Sequence, residues 1–149
     1  MTRRLLIVED DPGLQSQMRW CFSEDLEVTV ASDRDSALAA IRREEPEVVT
    51  LDLGLPPDPG GASEGFNLLE EILRLAPMTK VIVVTGREDK ENAVKAVGMG
   101  ASDFYPKPLD ADLLTFVVSR AFRLAEMEHA TRELARDGNG TQTPGHVAG

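Results

Sequence analysis

The sequence predicts an α/β fold: five parallel strands in one doubly wound sheet, with helices on both faces. Three observations predict it. Short, strongly apolar runs at residues 5–8, 48–51 and 80–84 have the character of strands buried on both faces. Between these runs lie segments whose apolar residues recur at helical spacing, bounded by Pro, Gly, Ser and Asp. Strand and helix alternate five times along the chain, and such a chain buries its strands through crossover helices on either side of a parallel sheet.

Each element has its own signature. Leu5-Leu6-Ile7-Val8 is a strand that runs into Glu9-Asp10-Asp11, and Pro12 then suits a first helical position. That helix is expected to reach about Ser23, with Leu14, Met18 and Cys21/Phe22 inward. Residues 26–31 form a strand with fewer apolar residues, hence one nearer an edge. Ser32-Asp33 provides an N-cap, and Ala37, Leu38 and Ile41 mark the inner face of a helix ending before Pro46. The third strand, residues 48–51, ends on Asp52. A helix over 65–76 follows, with Phe66, Leu69, Ile72 and Leu73 inward. A strand over 80–84 then ends in Thr85-Gly86. Residues 88–97 make a helix closed by Gly98 or Gly100, residues 102–105 a short strand, and a long helix runs from Asp110 to about Arg136. The natural packing is flavodoxin-like, a (βα)5 sheet of order 2-1-3-4-5 with an extended C-terminal helix. Residues 1–124 make the domain, 125–136 a helical extension or coiled-coil linker, and 137–149 a Gly- and Thr-rich tail expected to be disordered.

Composition narrows the classes. The 149 residues suffice for one domain with a real core, and a net charge of −10 argues against a nucleic-acid-binding surface. The single cysteine, Cys21, forms no internal disulfide and reads as a core thiol in a reducing compartment. No apolar stretch approaches the roughly 20 residues of a membrane span, and Arg3-Arg4 leads into only four apolar residues before Glu9. A soluble, cytoplasmic protein with no membrane contact is expected.

The chemistry gathers at the strand ends. One Asp after one strand reads most simply as a turn or a cap. In the order 2-1-3-4-5, however, the carboxyl ends of strands 1, 3 and 4 meet at the switch point, where such sheets bind ligands. Glu9, Asp10 and Asp52 therefore crowd together, flanked by the Thr85 hydroxyl and by Lys107 after strand five. Like charges this close raise one another's pKa unless a cation intervenes. An all-oxygen donor set suits a hard ion such as Mg²⁺.

With these residues in place, the sequence resembles the receiver domain of two-component response regulators, a CheY-like superfamily. The resemblance rests on Leu5-Leu6-Ile7-Val8-Glu9-Asp10-Asp11, Thr50-Leu51-Asp52, Val83-Val84-Thr85-Gly86 and Asp103-Phe104-Tyr105-Pro106-Lys107-Pro108, and covers residues 4–124. It implies that Asp52 accepts a phosphoryl group from a sensor histidine kinase. It also implies that Asp10 holds Mg²⁺ directly, Glu9 through water, and the Gly54 carbonyl as a third protein oxygen. Thr85 then resembles the switch hydroxyl, Lys107 the cation paired with the acyl phosphate, and Phe104 the rotating aromatic, with Lys107-Pro108 a cis peptide. For Phe104, plain core packing stands beside the switching role. The expected activity is that of a switch with slow self-dephosphorylation rather than a turnover enzyme.

Two stretches depart from the usual receiver. The loop 53–64 is long and rich in Pro and Gly, and it reads either as a control on access to Asp52 or as a tolerated surface insertion. Its wording, with Arg19-Trp20-Cys21-Phe22 and Arg120-Ala121-Phe122-Arg123-Leu124, is similar to the PEP-CTERM-box response regulators, nitrogen-regulator-type activators of the sigma-54 class. The second departure is the final helix, where Leu124, Met127, Thr131 and Leu134 make a seam that either pairs two chains or is solvated. A homodimer through the fourth and fifth helices and this seam is the expectation, with transcription controlled by an output domain outside these residues. A stand-alone regulator acting by protein docking is the alternative. A phosphatase of the haloacid dehalogenase type is disfavoured because Gly54 occupies the position of its second Asp, and a flavin site because Glu9-Asp10-Asp11 would repel a phosphate.

Overall fold

Successive side chains of a strand point to opposite faces, and the apolar runs exploit this on both sides. Leu5, Ile7, Val48, Ile82 and Val84 enter one core cluster, whereas Leu6, Val8, Val49, Leu51, Val81 and Val83 enter another. The structure, a computed structural model, describes residues 3–22, 26–55, 62–86 and 89–141. Its strands are β1 (Arg3–Val8), β2 (Leu26–Ala31), β3 (Val48–Asp52), β4 (Lys80–Thr85) and β5 (Asp103–Pro106). They alternate with α1 (Pro12–Trp20), α2 (Arg34–Glu44), α3 (Ser63–Leu75), α4 (Lys90–Met99) and α5 (Ala111–Thr141). Every pairing is parallel and the order is β2-β1-β3-β4-β5, as expected from the sequence. Residues of α1 and α5 complete the first cluster, and those of α2, α3 and α4 the second.

Local sequence explains three of the helix ends. Asp11 caps α1, accepting from Gly13 and Leu14, with Pro12 as the first helical residue. Asp33 and Ser36 cap α2 reciprocally. Gly100 ends α4 at φ 126°, a backbone that favours glycine.

Several boundaries differ from expectation. The helix α1 stops at Trp20, so Cys21 becomes its half-buried C-cap, its thiol donating to the Gln17 carbonyl, and Trp20 is 88% exposed. Only Met18 of α1 is fully buried. The expected end at Ser23 lies outside the described residues, as do the start of the fourth helix at Glu88 and residues 56–61 of the long loop. In α3 the buried stripe is Gly65, Leu68, Leu69 and Ile72, while Phe66 and Leu73 are half-buried at its margins. The last helix continues past Arg136 to Thr141, so residues 137–141 of the expected tail are helical. Once a helix is nucleated, each added residue gains a hydrogen bond, and weak helix formers extend it when no cap competes. Residues 142–149 lie outside the described residues. Among the described residues no helix is long and apolar enough to cross a membrane.

The extension of α5 is tied to the amino ends of the strands. Arg3 stacks 5.2 Å from the centre of the Phe122 ring and makes two hydrogen bonds to Glu126, at 2.9 and 3.1 Å. Lys80 at the start of β4 pairs with Glu128, and Ala125 is buried. Beyond these anchors Leu134 is exposed.

The long loop is pinched at its base. A Cβ on Gly65 would lie 2.4 Å from both the Cα and the carbonyl oxygen of Leu53. Only a residue without a side chain allows α3 to begin against the end of β3, which holds the loop's two ends together. Gly65→Ala should therefore destabilise the protein by about 1–3 kcal/mol, since backbone atoms cannot yield as a side chain does. Urea unfolding of the variant beside wild type measures this, and an unchanged midpoint would contradict the close approach.

Candidate functional site

Parallel registry brings the acidic strand ends together. Val8 of β1 stands beside Leu51 of β3, and Asp52 beside Val84 of β4. Glu9 follows directly on β1, and its backbone N–H donates to the Ala31 carbonyl, extending the ladder by one residue. Oxygens of Glu9, Asp10 and Asp52 all lie within 4.8 Å of one another. They line a cleft of about 350 Å³ together with Asp11, Gly54, Thr85, Gly86, Asp89, Asn92 and Lys107.

The lysine comes from the far side of the sheet. The Lys107 backbone N–H donates to the Thr85 carbonyl at 2.8 Å, and the Lys107–Pro108 peptide is cis. The ammonium stands 3.6 Å from Asp52 Oδ2 and 3.8 Å from Glu9 Oε1. Asp52 Oδ1 accepts from the Gly54 N–H at 3.1 Å. Thr85 is buried at the end of β4, beside the cleft. All five charged or hydroxyl groups named from the sequence thus share one cleft. Gly54 lines it too, through the N–H that holds Asp52.

Glu9 is the innermost of the acids, 2% exposed. Its Oε2 accepts from the Asp11 N–H at 3.2 Å, while Oε1 has no hydrogen-bond partner. Burial, and next the charge on Asp52, push its carboxyl up to about 8, with the Asp11 N–H and Lys107 opposing. A buried carboxylate oxygen without a partner is costly, and a nearby cation is what would relieve it. The hard, all-oxygen donor set and this orphaned oxygen fit a divalent ion of the Mg²⁺ type.

The aromatic pair of β5 divides its work. Phe104 is 45% exposed, which removes the core-packing reading of it, and Tyr105 at 1% is the core residue. The Tyr105 hydroxyl accepts from the Asp110 N–H and donates to the Asp110 carbonyl at 3.0 Å. It therefore steadies the loop that carries Lys107. Sequence reasoning missed this role, and also missed Gln15, whose side-chain amide donates to the Glu9 carbonyl. Neither has a signal in residue spacing, because both contacts join separate elements.

A family model described as the response regulator receiver domain matches residues 5–119. The chain belongs to this family. Among curated relatives, this receiver is 33% identical over 135 residues to the nitrogen assimilation regulatory protein NtrX of Azorhizobium caulinodans, covering 90% of this chain and 29% of that protein. It is 30% identical over 152 residues to the DNA-binding transcriptional regulator NtrC of Salmonella typhimurium, covering 99% and 31%. The crystal structure of NtrX from Brucella abortus in complex with ADP superposes with a TM-score of 0.83 at 34% identity, over 95% of this chain and 31% of that one. The isolated receiver domain of the same NtrX superposes with a TM-score of 0.73 at 37% identity, covering 80% and 98%. The chain thus spans less than a third of the length of these curated relatives.

The raised carboxyl of Glu9 has a consequence for stability. Its folded value of about 8 lies above its ordinary 4.5, so the folded receiver binds the proton more tightly than the unfolded chain. Where the folded state holds more protons, stability falls as pH rises. In divalent-free buffer, wild type should lose stability between about pH 4.5 and 8 through this group, on the order of a few kcal/mol. Glu9→Gln should flatten that slope. Denaturant titrations of both proteins at pH 5 and pH 8 check it, and parallel slopes would reject the assignment.

Proposed function

We propose that this receiver is a Mg²⁺-dependent phosphoacceptor switch, loaded on Asp52 by a sensor histidine kinase. The observation that carries the reading is the Asp52 carboxylate at the switch point of the sheet, one oxygen held by the Gly54 N–H and the other 3.6 Å from the Lys107 ammonium. A carboxylate is a weak nucleophile, so positioning and charge neutralisation supply most of the rate. An Asp52 oxygen bonds to phosphorus as the bond from phosphorus to the donor imidazole breaks. Lys107 offsets charge on the phosphoryl oxygens, and the Thr85 hydroxyl is placed beside the cleft to donate to one of them. The side chains of Glu9, Asp10 and Asp52, with Gly54, are the groups that would hold Mg²⁺, which when bound supplies further neutralisation of the acids and the phosphoryl group. Slow hydrolysis of the acyl phosphate returns the switch, so this is not a turnover enzyme.

Output follows from Thr85. Drawn toward a phosphoryl group, Thr85 leaves room beneath β5 into which Phe104 turns, and the surface between α4 and α5 is remade. That surface carries the exposed side chains of Val94, Val97, Phe104, Leu113 and Phe116. Leu124, Met127, Thr131 and Leu134 continue as an exposed seam along α5. Their three-and-four spacing suits pairing with a second copy. Kinship with NtrX and NtrC supports a cytoplasmic role in a sigma-54 type transcriptional activator, in which this domain would govern a downstream part.

Incubation with Mg²⁺ and a small phosphodonor should add one phosphoryl group to the protein by intact mass, and Asp52→Asn should abolish it. Equal labelling of both would sink the reading. Mg²⁺ should also raise stability by about 1.4 kcal/mol when present at tenfold its dissociation constant, because it binds the folded state alone. In a metal titration, Asp10→Asn should weaken this binding more than Glu9→Gln. The reverse order would exchange the roles of the two acids.

A further inference from the structure

Asp89 stands at the N-cap of α4, and Asp is among the residues best suited to accept from first-turn N–H groups. Its side chain makes no cap hydrogen bond. Instead its backbone N–H donates to the Gly86 carbonyl at 3.1 Å. Asp89 Oδ2 then lies 3.0 Å from where a Cβ on Gly86 would stand. The carboxylate occupies room that the missing side chain leaves open, and Asp89 lines the same cleft as Asp52, Thr85 and Lys107. There it joins Glu9, Asp10, Asp11 and Asp52, against a single lysine among the described lining residues. A good capping residue has left its helix uncapped and added negative charge where an anionic group is to arrive.

We propose that Asp89 is a specificity-determining residue for the loading of Asp52: with Asp52 bare, its carboxylate lies over Gly86 and repels small anionic donors, and a phosphoryl group on Asp52 drives it onto the first turn of α4 as a cap. The proposal rests on the reading of Asp52 as phosphoacceptor. Repulsion of the wrong partner is an ordinary route to specificity. A small acyl phosphate brings its whole charge to the cleft unaided, whereas a protein donor can offset Asp89 with its own surface. The exchange is reciprocal, because a ligand that disfavours one position of a two-position group is itself disfavoured while the group stays there. Capping then links the charge on Asp52 to the firmness of α4, which carries Val94 and Val97 of the output face.

Two substitutions separate charge from cap. Asp89→Asn removes the charge and keeps a capping side chain. Gly86→Ala keeps the charge and pushes the flexible carboxylate aside, since the added Cβ would meet only its far end. With acetyl phosphate and Mg²⁺, an Asp52 oxygen bonds to phosphorus as the donor's P–O bond breaks and acetate leaves. Initial rates by intact mass should rise about threefold to tenfold in both variants at low salt, and the gap should close as salt screens the cleft. In wild type, beryllofluoride should slow amide hydrogen exchange at Glu91 and Asn92 by a similar factor, and Asp89→Ala should lose that protection. Wild-type rates in either variant, or first-turn amides indifferent to the mimic, overturn the proposal and leave Asp52 as the acceptor. Labelling of Asp52→Asn equal to wild type would instead remove the acceptor reading, and this proposal with it.

Discussion

Glu9 and Asp52 are held in one buried cleft by the parallel registry of β1, β3 and β4, and the repulsion this enforces governs the rest of the site. A sheet whose strands all point one way gathers their carboxyl ends on one edge. Acids placed there cannot move apart without breaking ladder hydrogen bonds. The stress is met from within by Lys107, anchored through its backbone to Thr85, and by the N–H groups of Gly54 and Asp11. It is not met in full, as the orphaned Glu9 oxygen and its raised carboxyl attest. A site left short of positive charge is the kind a hard cation would complete.

The same constraint explains why the surroundings are polar yet rigid. Lys107 is useful only if its ammonium is aimed, and the aim depends on the loop after β5. Tyr105, buried beneath it, ties that loop through Asp110. On the opposite face, Gly65 lets α3 start against the backbone of Leu53, so the end of β3 is held just past Asp52. Mobile supports would let the like charges drift apart and lose the convergence that gives the cleft its chemistry.

At the other end of the sheet, α5 is bound by Arg3 and Lys80 through Glu126 and Glu128. These exposed or partly exposed pairs are individually weak, but they lie beside the buried Ala125 and the Arg3–Phe122 stack. The extension therefore leaves the domain in a set direction, with its apolar seam outward.

The fold was legible in the sequence because its signals are local. Strongly apolar runs marked β1, β3 and β4, thinner patterning placed β2 nearer an edge, and Asp33 announced the start of its helix, while the end of the fourth was left between Gly98 and Gly100. The acidic cluster was legible as well, since a strand order of 2-1-3-4-5 converts strand ends into neighbours. What the chain order could not express was contact across elements. Phe104 and Tyr105 differ little as sequence, and only the pleat of β5 decides that one faces outward and the other fills the core. Cys21 reads as a core thiol until α1 ends before it and leaves it a half-buried cap. Asp89 falls inside the helix expected over 88–97, yet it stands just before α4 with its carboxylate over Gly86. Residue type and spacing determine which elements form and which charges meet. The direction of each side chain at an element's end depends on what the rest of the molecule has already packed there, and only the tertiary structure decides that.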